Sequence, residues 1–186
     1  MQRRAFRALS SSAIDRDTVE RLLTAASLAP SCMNKQPWRF VVADREPVLQ
    51  ELKDKALEPG NYWARLAPVI IAVVTQADLD CRLSEGRDYA LFDTGMAAMN
   101  LMLQATAEGL YAHPIAGFKP VEAKTILGIP DDHILVTLVI CGRPADSLDA
   151  LNDRHRQSET AERGRKPLSD ISSFNGWQFA KAPTQV

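Results

Sequence analysis

The run Pro68-Val69-Ile70-Ile71-Ala72-Val73-Val74-Thr75 constrains the fold more than any other stretch of this chain. Its apolar core, mostly β-branched, has no alternation of core and water positions. A strand made from it is therefore buried on both faces and needs helices above and below. Ile134 to Cys141 reads as a second buried strand, and Trp38 to Ala43 and Tyr111 to Gly117 as two more. The covering helices are also legible. Asp15 stands as an N-cap, Ile14 and Val19 have the spacing of a hydrophobic staple, and Val19, Leu22, Leu23 and Ala26 make one apolar face that stops before Pro30. Pro47 can start a helix through Leu57, and Pro120 to Leu127 is a short helix stopped by Gly128 and Pro130. Residues 88–108 are apolar nearly all round, which suits the centre of a protein or a large subunit interface. Residues 2–9 are basic and helix-compatible. Alternating strands and helices by themselves suggest a doubly wound α/β sheet.

Length and charge narrow the partners. The 186 residues are enough for one domain with a sizeable core. A net charge of −1 gives no reason to expect nucleic acid. The arginines are unevenly placed, however: Arg3, Arg4 and Arg7 lie near one end and Arg163 and Arg165 near the other. Two separated basic clusters suit a compact anion better than a polyanion. Cys32, Cys81 and Cys141 are far apart, with no Cys-x-x-Cys, so neither a disulfide framework nor a zinc site is expected. His113, His133 and His155 are isolated and read as surface or loop residues rather than metal ligands. No apolar run reaches membrane-spanning length and the first residues lack a signal-peptide core, so a cytoplasmic location is the expectation.

The usual nucleotide and hydrolase motifs are missing: no Gly-x-Gly-x-x-Gly, no Walker loop, no Gly-x-Ser-x-Gly. Four other elements stand out. If residues 2–9 are helical, Arg3 and Arg7 share a face, and an arginine's planar fork can grip phosphate oxygens in pairs. Ala29-Pro30-Ser31-Cys32-Met33-Asn34-Lys35-Gln36-Pro37-Trp38 is a polar loop between a helix and a strand. His113-Pro114-Ile115-Ala116-Gly117-Phe118 ends a strand in a turn where glycine allows close backbone approach. Arg163-Gly164-Arg165-Lys166-Pro167-Leu168 is the second basic motif.

In this order the four elements resemble the nitroreductase family of FMN-dependent oxidoreductases, and the resemblance spans nearly the whole chain. It implies an α+β fold in place of the doubly wound one: a central, mostly antiparallel sheet flanked by helices, in an intertwined homodimer. Residues 1–186 would form a single FMN-binding domain, with residues 172–186, carrying Phe174, Trp177 and Phe179, docked on the partner subunit. Arg3, Arg163 and Arg165 would hold the FMN phosphate, with Arg4 nearby and Arg7 at the N1 and O2 edge of the ring. Pro30, Ser31, Cys32 and Asn34 would line the flavin from the partner chain. Pro114, Ile115, Ala116 and Gly117 would pack on the ring, with the Ala116 N–H aimed at N5. Asp93 would face the pyrimidine edge, and Asn61 is a further candidate. Arg7 and Ala116 are the catalytic candidates. NADH or NADPH would deliver hydride to N5, and a nitroaromatic or quinone-type acceptor would then take it, in ping-pong order. The same fold also serves dedicated enoate, aldehyde or dehalogenating reductases and flavin-binding dimers without turnover. The chain departs from the family pattern at Ala5, where serine is frequent, and at Cys32.

Overall fold

A computed structural model describes residues 3–179. All strand pairings are antiparallel, as the family resemblance implies and the doubly wound alternative does not. The strands are β1 (Leu9–Ser10), β2 (Arg39–Ala43), β3 (Val69–Thr75), β4 (Tyr111–Ile115) and β5 (Ile134–Pro144). The sheet runs β1-β5-β3-β2, with β4 also on β5. The length of β5 makes this possible: one edge takes β3, while the other takes β4 at residues 138–142 and then β1 at Arg143 and Pro144.

β3 is buried along its whole length, and its side chains feed two cores. Ile70, Ala72 and Val74 point into one, with Leu52, Trp63 and Ala123. Val69, Ile71 and Val73 point into the other, with Leu22, Ala97 and Leu101. Helices α1 (Arg16–Ser27) and α3 (Tyr89–Ala107) cover the second face. The first is covered by α2 (Val48–Glu51), which continues as a π-helical turn through Ala56, by the 3₁₀ segment Pro59–Leu66, and by α4 (Pro120–Leu127). Each large side chain buried this way contributes roughly 1.5–3 kcal/mol.

Asp15 caps α1, accepting from the Thr18 N–H at 2.7 Å, and Ile14 and Val19 both lie in the α1 core. Of the helix-compatible stretch 2–9, the described residues 3–9 form no helix. Residues 3–8 are irregular, and Leu9–Ser10 pairs with β5. The polar stretch after Pro144 contains a helix that periodicity does not reveal, α5 (Asp153–Thr160), capped by the Asn152 side chain on the His155 N–H. Along α3, Leu91, Phe92 and Leu103 are exposed. No helix among the described residues is long and apolar enough to cross a membrane.

Candidate active site

The basic clusters from the two ends of the chain meet. Arg3, Arg4, Ala5, Arg163 and Arg165 line one pocket of about 230 Å³. The Arg163 guanidinium donates to the Arg3 carbonyl, which closes the junction. Arg4 donates to the carbonyls of Ser158 at 3.3 Å and Ala161 at 2.9 Å, at the end of α5, where a helix dipole favours a cation. Desolvation, followed by the charges of Arg165, Arg3 and Arg4, holds the Arg163 pKa below its ordinary value. Such a crowd of like charges offers the donor set that an anion would require.

Arg7 lies beside this pocket without lining it. Its side chain pairs with Glu159 at 3.6 Å. The same buried carboxylate accepts from the backbone N–H groups of Arg7, at 3.0 and 3.1 Å, and of Ala8, at 3.5 Å. Glu159 was not among the sequence candidates. The Asn152 cap and the acidic first turn of α5 were the available signal.

His113 is the central residue of β4, two positions before the turn that follows it, and it is buried rather than at the surface. Its Nδ1 lies 3.1 Å from the Phe6 carbonyl, and since a carbonyl only accepts, Nδ1 carries the proton. Its ring packs on Trp63 at 4.7 Å. Burial is the main reason its pKa falls to about 4, with the nearby Arg7, His155 and Arg3 charges adding to the effect. The Gly117 carbonyl accepts from the Asn61 side chain at 2.8 Å and from the Glu58 N–H at 3.3 Å. A Cβ on Gly117 would sit 2.7 Å from Asn61 Nδ2 and 3.2 Å from Glu58 Oε2, so glycine is needed for this approach. Ile115 is buried in the sheet core, Pro114 is half-buried, and Ala116 is exposed at the tip. Asn61 thus braces the turn.

The third group lies apart: none of Pro30, Ser31, Cys32 and Asn34 lines the arginine pocket. Met33, Asn34 and Gln36 have φ of 50°, 56° and 51°, a region that side chains other than glycine's seldom occupy, at a cost on the order of 1–3 kcal/mol each for sparsely populated backbone. Internal bonds over-determine this loop. The Ser31 hydroxyl accepts from the Gln36 N–H at 2.9 Å, and the Gln36 amide donates to Asn34 Oδ1 at 3.2 Å. Asp93, reaching from α3, accepts from the Cys32 N–H at 2.6 Å. Asp93 is buried beneath the loop. Burial, and then the neighbouring Asp80, raise its pKa, with the Cys32 N–H pulling the other way. Cys32 is disulfide-bonded to Cys81, which corrects the expectation that no disulfide framework is present: a sequence separation of 49 closes to 6.1 Å between Cα atoms.

The C-terminal aromatics find no core among the described residues. Phe174 and Trp177 are more than four-fifths exposed, and Trp177 stacks edge-on with Phe179 at 4.9 Å. The rest of the proposed docking segment, 180–186, lies outside the described residues.

Comparison with known proteins agrees with this fold. The profile of the nitroreductase family matches residues 1–62 and 48–143. A 5,6-dimethylbenzimidazole synthase of Rhodospirillum rubrum is 31% identical over 170 residues, covering 77% of this chain and 79% of its own. An NADH dehydrogenase of Thermus thermophilus is 28% identical over 179 residues, covering 78% and 85%. Among solved structures, an oxidoreductase containing FMN superposes with a TM-score of 0.82 at 28% identity, covering 96% of this chain and 90% of that one. The chain belongs to the nitroreductase family.

Proposed function

We propose that this protein is an FMN-dependent oxidoreductase that takes hydride from NADH or NADPH and passes it to a nitroaromatic or quinone-type acceptor. The observation that carries the reading is the convergence of Arg3, Arg4, Arg163 and Arg165 on one small pocket. Four cations with no carboxylate among the lining residues fit a phosphate monoester, and each arginine can offer paired donors. When bound, FMN supplies two-electron hydride chemistry, which no side chain here provides.

The chain's own residues bind and orient. Arg3, Arg163 and Arg165 grip the phosphate, and Arg4 stiffens the pocket through α5. Arg7, aimed by Glu159, supplies positive charge for the ring edge where electron density gathers, the logic of an oxyanion site. Pro114, Ile115, Ala116 and Gly117 form the surface on which the ring rests, with Gly117 keeping the backbone close and the Ala116 N–H as donor. Pro30, Ser31, Cys32 and Asn34 form a rigid wall that serves the flavin of a second copy, with Asp93 holding that wall in place. The separation of this loop from its own chain's arginine pocket supports the dimeric arrangement. So do the exposed Leu91, Phe92 and Leu103 on α3 and the uncovered Phe174 and Trp177. Residues 1–186 act as a single domain, with the segment from 172 onward lying on the partner.

Purified protein is expected to be yellow and to bleach on anaerobic addition of NADH or NADPH, recovering colour with a nitro compound or quinone. Colourless protein that takes up no added FMN overturns the reading. Removing residues 172–186 is expected to weaken the dimer. Unchanged sedimentation of the truncated protein across a dilution series argues against the docked tail.

A further inference from the structure

We propose that Cys32 and Cys81 are a second redox centre: a reversible thiol–disulfide couple, reduced by an external dithiol, in which Asp80 hands a proton to the departing Cys81 sulfur. The two cysteines come from different segments. Cys32 lies in the strained loop, and Cys81 in the stretch that leads into α3. A Cα separation of 6.1 Å lies within the range that disulfides require. The two residues are unequal: Cys32 is partly open to solvent, whereas Cys81 is buried. An incoming thiolate therefore meets Cys32, and Cys81 is the leaving group.

Asp80 supplies the independent observation. It is buried, at 4% exposure, and places a carboxylate oxygen within 4.8 Å of both sulfurs. Its Oδ1 accepts from the Cys81 N–H at 2.7 Å, while its Oδ2 is buried with no hydrogen-bond partner among the described residues. The Asp93 carboxyl is next to it. A proton held on Asp93 gives that orphan oxygen a donor and avoids two buried negative charges in contact. Lys35 reaches the Asp80 carbonyl at 3.4 Å, not its carboxylate. The Arg82–Asp78 pair is largely exposed. The sulfur pair thus has a carboxyl relay beside its buried member, where a leaving thiolate is hardest to solvate.

The electrons and protons balance. One thiolate of the dithiol attacks Cys32 Sγ, the S–S bond breaks, and Cys81 departs with the electron pair, taking a proton through Asp80. The second thiol of the reductant then attacks the mixed disulfide and releases Cys32, which is protonated in turn. The protein gains two electrons and two protons, and the dithiol becomes a disulfide. Reduction cuts the covalent tether between the strained loop and the segment before α3, leaving the Asp93 bond to the Cys32 N–H as its remaining link to that helix.

The test needs no flavin. Full-length protein is equilibrated in mixtures of reduced and oxidised dithiothreitol, quenched with acid, unfolded and alkylated with N-ethylmaleimide for intact-mass measurement. With three cysteines in the chain, the expected species carry one adduct, on Cys141, or three, and they interconvert with a two-electron slope. Backbone amide exchange in residues 31–36 is expected to quicken in the reduced form. Three adducts under every condition overturn the proposal, as does one adduct in fully reducing buffer. A three-adduct protein that carries stoichiometric zinc assigns the cluster to a metal instead and also overturns it. Asp80→Asn keeps an acceptor for the Cys81 N–H but cannot relay a proton, so reduction by dithiothreitol should slow on the order of tenfold. If that variant does not fold, Asp93→Asn removes the stored proton and should slow reduction likewise. Wild-type rates in a folded variant reject the role of the carboxyl pair.

Discussion

Around the arginine pocket, Arg3, Arg4, Arg163 and Arg165 gather without a carboxylate among the lining residues. Beneath the 31–36 loop the imbalance is reversed: Asp80 and Asp93 meet in a buried space, and Lys35 turns its ammonium to a backbone carbonyl. The two regions resolve the same electrostatic problem differently. The basic pocket is open, so a phosphate from solution can neutralise it. The acidic pair is closed, so a proton must do so. On the proposed reading, one region receives a ligand and the other holds a strained piece of backbone still.

The largest effect should come from removing the first imbalance. With Arg163→Ala and Arg165→Ala combined, FMN affinity should fall by about two to four orders of magnitude, since hydrogen bonds to a charged group contribute roughly 1.5–3 kcal/mol each. Flavin fluorescence titration reads this directly. An unchanged dissociation constant would remove the phosphate assignment and leave the pocket a surface accident.

His113 tests the basic side through stability. It is neutral in the fold, with a pKa near 4 against an ordinary 6.5, so the unfolded chain binds the extra proton between those values. Its contribution is complete above about pH 6.5 and is lost as pH falls through about 4, by about 3 kcal/mol in total. Urea midpoints measured across that window should drop for the wild type and drop less for His113→Phe. Parallel profiles would mean that some other group carries the acid sensitivity.

A smaller effect is expected at the Gly117 turn. Gly117→Ala places a Cβ 2.7 Å from Asn61 Nδ2, which forces that amide off the Gly117 carbonyl at a cost of about 1–2 kcal/mol. Denaturant unfolding should show the loss, and Asn61→Ala, by making room, should absorb most of it in the double variant. Additive losses would show that the two residues do not meet.

What could be read in the sequence follows the same division. Charge excess survives in one dimension, so the arginines at both ends stand out as two basic clusters before any fold is known, although composition alone favours solvated stretches and only the family resemblance joins them on one phosphate. The buried run at 69–74 and the Asp15 cap are equally local, and both appear as expected. Residues 3–8 mislead because a helix-compatible run of arginines is overruled by pairing of β1 with β5 and by Glu159 gripping two backbone N–H groups. Helix α5 hides because it is polar almost throughout, with Glu159 its one buried residue. The Cys32–Cys81 pair and the Asp80–Asp93 contact are absent from any local pattern: each joins two segments that only the packed sheet brings together. The exposed apolar residues on α3 show the same division from the other side. The sequence marks the helix as apolar all round, but which of its faces lies open is decided by where β3 and α1 pack.

Asp93→Asn probes the acidic pair most delicately. The asparagine copies the protonated acid: its oxygen can accept from the Cys32 N–H and its amide can donate to Asp80. In acid, where Asp93 already carries its proton, wild type and variant should therefore differ by less than about 1 kcal/mol, the net worth of a neutral hydrogen bond. Burial raises the pKa of Asp93 in the fold above its unfolded value, so the unfolded chain gives up its proton first. The stability that Asp93 contributes is thus full below the ordinary carboxylate range and fades as pH rises through the raised value. The variant cannot ionise and should keep its stability there, overtaking the wild type as pH increases. This sign is opposite to that of His113, and so the two sides of the molecule should be separable by pH alone. A variant that lost ground with rising pH would show that the ionised Asp93, not the protonated one, holds the loop.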